Sequence, residues 1–95
     1  MDYEFKTTFW MDFTIADHFG LDAVRDTFKR SFRDWKHNTT YITELCLVLN
    51  WKIWQHYQTN EPLAKLYDAL WWEVRNWCLD NLKGDDQVYF LDVTD

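Results

Sequence analysis

At 95 residues the chain has the length of one domain, and a domain of this size buries about two thirds of its unfolded surface without needing disulfides or metals. Two glycines, one proline and a hydrophobic fraction of 47% exclude a disordered, loop-rich or sandwich-like chain. The net charge of −6 opposes phosphate binding, while seven Trp, seven Phe and five Tyr exceed what a small core requires.

In residues 1–10, Tyr3, Phe5 and Thr7 alternate with Glu4 and Lys6, which predicts a short strand or an extended arm. Met11 to Phe19 reads as a short helix with Phe13, Ile15, Ala16 and Phe19 near one face and Gly20 ending it. From Asp22 the apolar positions Val24, Phe28, Phe32 and Trp35 recur at intervals of four, four and three. That spacing predicts an amphipathic helix capped by Asp22, with Arg33, Lys36 and His37 in its last turn.

Asn38-Thr39-Thr40 breaks the pattern and offers the cap of a central helix running to about Gln58. At 100° per residue Ile42, Leu45, Cys46, Leu49 and Ile53 form its core face, and Leu47, Trp51 and Trp54 lie opposite. The second group is core if a neighbouring helix covers it and contact surface if none does. Thr59-Asn60-Glu61-Pro62 is the clearest helix start in the chain, with an Asn or Glu cap and an early proline. The helix it opens carries Leu63, Leu66, Tyr67, Leu70, Trp71, Val74, Trp77, Cys78 and Leu82 on one broad face and stops at Lys83-Gly84. Trp72 and Leu79 point about 100° away from that face and are expected to be more exposed than Trp71, Val74 and Trp77. Residues 85–95 fit either a short helix capped by Asp85 or a strand pairing with residues 3–9. The predicted fold is mainly α, a single domain over residues 1–95: an antiparallel bundle of three main helices plus a short N-terminal one, with both terminal arms packed on it.

Charge is unevenly spread. Between Ala23 and His37, five cations stand against two carboxylates, a local +3 that leaves −9 on the remaining residues. Arg25, Lys29, Arg33 and Lys36 share one stripe and form a charged docking face for an acidic protein or a second copy. A phosphate-tracking role is opposed by the overall acidity and by Asp22, Asp26 and Asp34 interleaved among the cations.

No segment carries a catalytic or cofactor signature. Gly20 and Gly84 stand alone, so no phosphate cradle is present, and Cys46, Cys78, His18, His37 and His56 form no metal-ligand pair of the usual spacing. Cys46 and Cys78 read as buried, inert thiols of a reducing compartment. Glu44 and Glu73 read as rim carboxylates, or as ion-pair partners of Arg75 or Lys52; Asn50 reads as a hydrogen-bonded register residue and His56 as a dipole partner at a helix end. Four acidic residues within positions 1–20 exclude a secretory leader there, and no stretch approaches about 20 uncharged apolar residues. Cytoplasmic location, no cofactor, no metal and no membrane partner follow as expectations.

The runs FWMDFTIADHFG, LCLVLNWKIWQHY and NLKGDDQVYFLDVTD resemble small uncharacterised acidic helical proteins of gut Firmicutes and their mobile elements. The resemblance spans the chain and implies a bacterial cytoplasmic setting and an accessory role, with no activity to carry over. The expected function is a non-enzymatic interaction or regulatory module, binding a protein partner or a second copy through Trp72, Leu79, Trp51, Trp54 and Leu47. Two alternatives stand beside it. One is a small-molecule binder or minimal enzyme at an aromatic pocket formed by Trp51, Trp54, Glu44 and Asn50; the other is an acidic mimic of nucleic acid that inhibits a nucleic-acid-binding protein.

Overall fold

A computed structural model describes residues 3–94, with side chains from Thr8 onward, as five helices: α1 (Tyr3–Phe19), α2 (Leu21–Trp35), α3 (Thr39–His56), α4 (Glu61–Asn81) and α5 (Asp85–Thr94). No strand occurs among the described residues. α3 packs against all four of the other helices, as a helix apolar on two sides should.

Both terminal strand expectations are corrected. The backbone of residues 3–10 is helical and continuous with the segment expected to stand alone, because the helical stripe does not begin at Met11. Phe9, Phe13 and Ala16, at i, i+4 and i+7, are all buried, so the core face runs across the expected boundary. The side chains of Tyr3, Glu4, Phe5, Lys6 and Thr7, on which the alternation rested, lie outside the described residues. At the other end residues 85–94 take the helical alternative, anchored by the fully buried Phe90.

Caps account for most of the boundaries. Gly20 closes α1 by donating its backbone N–H to the Ala16 carbonyl (3.1 Å) and opens α2 by accepting from the Val24 N–H (3.2 Å). Its φ of +109° is a conformation that L side chains rarely adopt, which is why one glycine can join two helices directly. Asp22 is therefore not the cap of α2; it lies in the first turn and pairs with Arg25. The Asn38 side chain accepts from the Tyr41 N–H and the Asn60 side chain from the Leu63 N–H, each at 3.2 Å, as N-cap residues should. Asp85 does not cap α5 either, because the Gly84 carbonyl accepts the Val88 N–H that opens that helix.

The core is one cluster drawn from all five helices. Phe13, Val24, Ile42, Leu45, Val48, Leu49, Tyr67, Val74 and Phe90 are each 0% exposed, and Phe28 and Phe32 extend the cluster as a stacked pair. Among the described residues no helix is long and apolar enough to cross a membrane.

Candidate interaction surface

The aromatic surplus divides between core edge and surface. Trp10, Trp35, Trp71 and Trp77 pack partly buried against the core, whereas Trp54 is 67% exposed, Trp72 50%, Trp51 42% and Leu79 36%. Val74, one turn from Trp71 and Trp77, is fully buried, so α4 has a dry face and a wet one. Of the group opposite the α3 core stripe, Leu47 is half-buried and Trp51 packs edge-on against Trp10 of α1 at 6.3 Å; α1 thus covers one flank of this face and leaves Trp54 open.

On α4 the exposed residues Glu61, Lys65, Asp68, Trp72 and Leu79 fall within roughly 60° of arc at 100° per residue. Their row borders a shallow groove of about 400 Å³ lined by Ile53 and Tyr57 of the α3 end and by Glu61, Ala64, Lys65 and Asp68 of α4. Tyr57 is 59% exposed and packs against Trp54 at 5.7 Å. A floor of Ile53 and Ala64 beside the Tyr57 ring, rimmed by both signs of charge and neighboured by Trp54 and Trp72, has the composition of a protein contact site. A larger depression of about 640 Å³ lies between α1 and α2, with Ile15, Phe19 and Trp35 beside Asp26, Arg30 and Asp34 on its walls. Trp51, Trp54, Glu44 and Asn50, expected together around a ligand pocket, line neither depression.

On the basic helix Arg25, Lys29 and Arg33 are exposed and Lys36 is half-buried over the Phe32 ring at 5.7 Å. Arg25 is paired with Asp22 (3.1 Å) and Arg33 with Asp34 (3.0 Å); Asp34 is already counted in the local +3, and Asp22 lowers it to +2.

Beneath the surface is a polar cluster that sequence reasoning missed. Lys52 is 0% exposed; its ammonium donates to Thr14 Oγ1 (2.7 Å), Asp17 Oδ2 (2.9 Å) and Gln55 Oε1 (2.9 Å), and sits 4.2 Å from the Trp10 ring centre. All three donors are thereby used, with a cation–π contact on the remaining side. His56 Nε2 lies 2.9 Å from the same Asp17 oxygen, and the Tyr67 hydroxyl donates to Asp17 Oδ1 at 2.5 Å. His56 is not merely a dipole partner at a helix end, because its ring stacks on Tyr67 and its nitrogen faces the carboxylate. Lys52 pairs with Asp17 rather than Glu44, and Glu44 is buried at 2% exposure instead of standing on a rim.

This cluster ties α1, α3 and α4 together and makes folding pH-dependent. Burial alone would raise the pKa of the Asp17 carboxyl, but hydrogen bonds from Lys52, Tyr67 and His56 outweigh it and hold the pKa below its ordinary value of 3.8. Burial, reinforced by the hydrogen bond to Asp17, pushes the Tyr67 phenol well above its ordinary 10.0. A depressed carboxyl stabilises the fold above 3.8, and this contribution is lost as pH falls through the folded value. A raised phenol stabilises it fully below 10, and this contribution is lost as pH rises beyond that. Urea midpoints are expected to stay level through neutrality and fall on both sides, with Tyr67→Phe removing much of the alkaline fall. An alkaline fall unchanged in that variant would show that Tyr67 does not cause it.

Cys46 and Cys78 are both buried and outside any disulfide, and burial pushes the Cys78 thiol up to about 12, so it is not a nucleophile near neutrality. His18 and His37 are exposed, and no cluster of three or more His, Cys, Asp or Glu suited to a metal ion occurs among the described residues. Comparison with protein-family models, with curated proteins and with solved structures finds no match.

Proposed function

We propose that the chain is a non-enzymatic protein-interaction module whose contact surface is the exposed aromatic face of α3 and α4, and that it acts in a bacterial cytoplasm. The observation that carries this reading is the row Glu61, Lys65, Asp68, Trp72 and Leu79 beside the groove under Tyr57 and Trp54, with half or more of Trp72, Tyr57 and Trp54 open to solvent. Isolated exposed apolar residues are ordinary, but large rings grouped around a groove mark contact sites. α3 and α4, joined by only four residues and packed on one another, give this face its base. Reaction chemistry finds less support. The cluster of ionisable groups around Asp17 is internally satisfied, and no His or Cys lines either depression.

A photo-crosslinker in place of Leu79 is expected to give a covalent protein adduct in cells, and the same group in place of Asp22 on α2 is expected to give none. Identical adducts from both positions, or none from Leu79, would defeat the assignment of the surface.

A further inference from the structure

The α4 face combines an exposed indole and a groove with charges ordered so that the face complements itself. Along the helix come Glu61, Lys65, Asp68 and Trp72, all exposed. Lys65 is bonded to Glu61 at 3.0 Å in a fully solvated pair, and Asp68 has no ion pair within the described residues. Two copies of α4 laid antiparallel, with a two-fold axis passing between positions 65 and 68, would set each Lys65 opposite the Asp68 of the other copy. The same operation sets position 72 opposite position 61. Glu61 and Tyr57 form the end of the 400 Å³ groove, so each Trp72 indole arrives where that groove opens. One rotation therefore satisfies both the charges and the apolar surface, which is what an isologous interface requires.

Resting on the reading of this face as a contact surface, we infer that its partner is a second copy of the chain, docked two-fold through α4 with Trp72 of each copy in the Tyr57–Asp68 groove of the other. The size of the surface is consistent with a weak interface. The two-fold pairs residues 61–72 of each α4, a strip about 18 Å long and about 20 Å wide that offers on the order of 350 Å² per chain. That is smaller than most specific interfaces, so dimerisation is expected to be weak, with a dissociation constant on the order of 100 µM.

The test is sedimentation velocity from about 5 to 500 µM, spanning the affinity expected of a small interface. The natural chain is expected to pass from monomer to dimer across that range. Lys65→Asp and Asp68→Lys should each weaken dimerisation by about tenfold or more by facing like charges across the axis, and the double variant, which exchanges the two charges, should restore it. Circular dichroism of the three variants establishes that α4 is intact. A natural chain that stays monomeric throughout, or a folded double variant no better than the single ones, overturns the two-fold dimer. Either result leaves the Leu79 crosslinking experiment to decide whether the face binds a different protein, so the two readings fail separately.

Discussion

Asp17→Ala is expected to destabilise the protein by about 3 to 5 kcal/mol, the cost of stranding a buried charge. The carboxylate receives hydrogen bonds from Lys52 and Tyr67 and faces the His56 ring nitrogen, and its removal leaves the Lys52 ammonium, 0% exposed, with only two neutral oxygens and the Trp10 face. Tyr67 would retain only its 3.4 Å hydrogen bond to the Phe13 carbonyl, and α1 would lose the carboxylate that joins it to α3 and α4 at once, keeping Thr14 as the acceptor from Lys52. Against a total stability of about 5 to 15 kcal/mol, such a loss separates a folded domain from a marginal one. Replacing both partners, as in Asp17→Leu with Lys52→Met, should cost far less than Asp17→Ala alone, because no charge is then left without its counterion. Chemical denaturation of the three proteins checks this. A loss below about 1 kcal/mol for Asp17→Ala would mean that water reaches Lys52 and that the cluster is not sealed.

The sequence announces some of these features clearly and conceals others for identifiable reasons. Caps and breakers were legible: Asn38, Asn60 and Pro62, and Gly20 and Gly84, all sit at or near the helix boundaries where their chemistry places them. The wet side of α4 was also legible, because a 21-residue helix samples the 3.6-residue period several times and resolves a dry arc from Trp72 and Leu79. Residues 3–10 read as a strand because three alternating positions mimic one, while the helical signal lies in Phe9, whose partners Phe13 and Ala16 fall beyond Met11. Asp22 and Asp85 suggest caps by residue type alone; in each case a preceding glycine with positive φ opens the helix instead.

The buried cluster left a trace that local reading could not complete. Leu45, Leu49, Lys52 and His56 recur at i, i+4, i+7 and i+11, so a lysine stands in the core stripe of α3 and calls for a buried carboxylate somewhere in the chain. Trp10, Thr14 and Asp17 form the matching row at i, i+4 and i+7 of α1, beside the apolar row Phe9, Phe13 and Ala16. Pairing the two rows requires knowing that α1 lies on α3, which is a tertiary fact. The basic stripe of α2 is legible with its interleaved carboxylates; what the structure adds is which of them pair, Asp22 with Arg25 and Asp34 with Arg33.

The account as a whole depends on Trp72 being a contact residue and not a core one, and Trp72→Ala tests this most directly. Half of the indole is exposed, and its intrachain aromatic contact is the edge of Trp71 at 4.8 Å, so truncation creates no enclosed cavity. The melting temperature should therefore stay within about 5 °C of the natural chain's. Across a two-fold interface the same truncation removes both docked indoles at once, and a hot-spot loss of about 2 kcal/mol or more corresponds to roughly 30-fold weaker association. The measurement is thermal melting and sedimentation of Trp72→Ala and the natural chain in matched samples. An unchanged melt with association lost is the expected result; a large fall in melting temperature, or association that survives the substitution, would contradict the account.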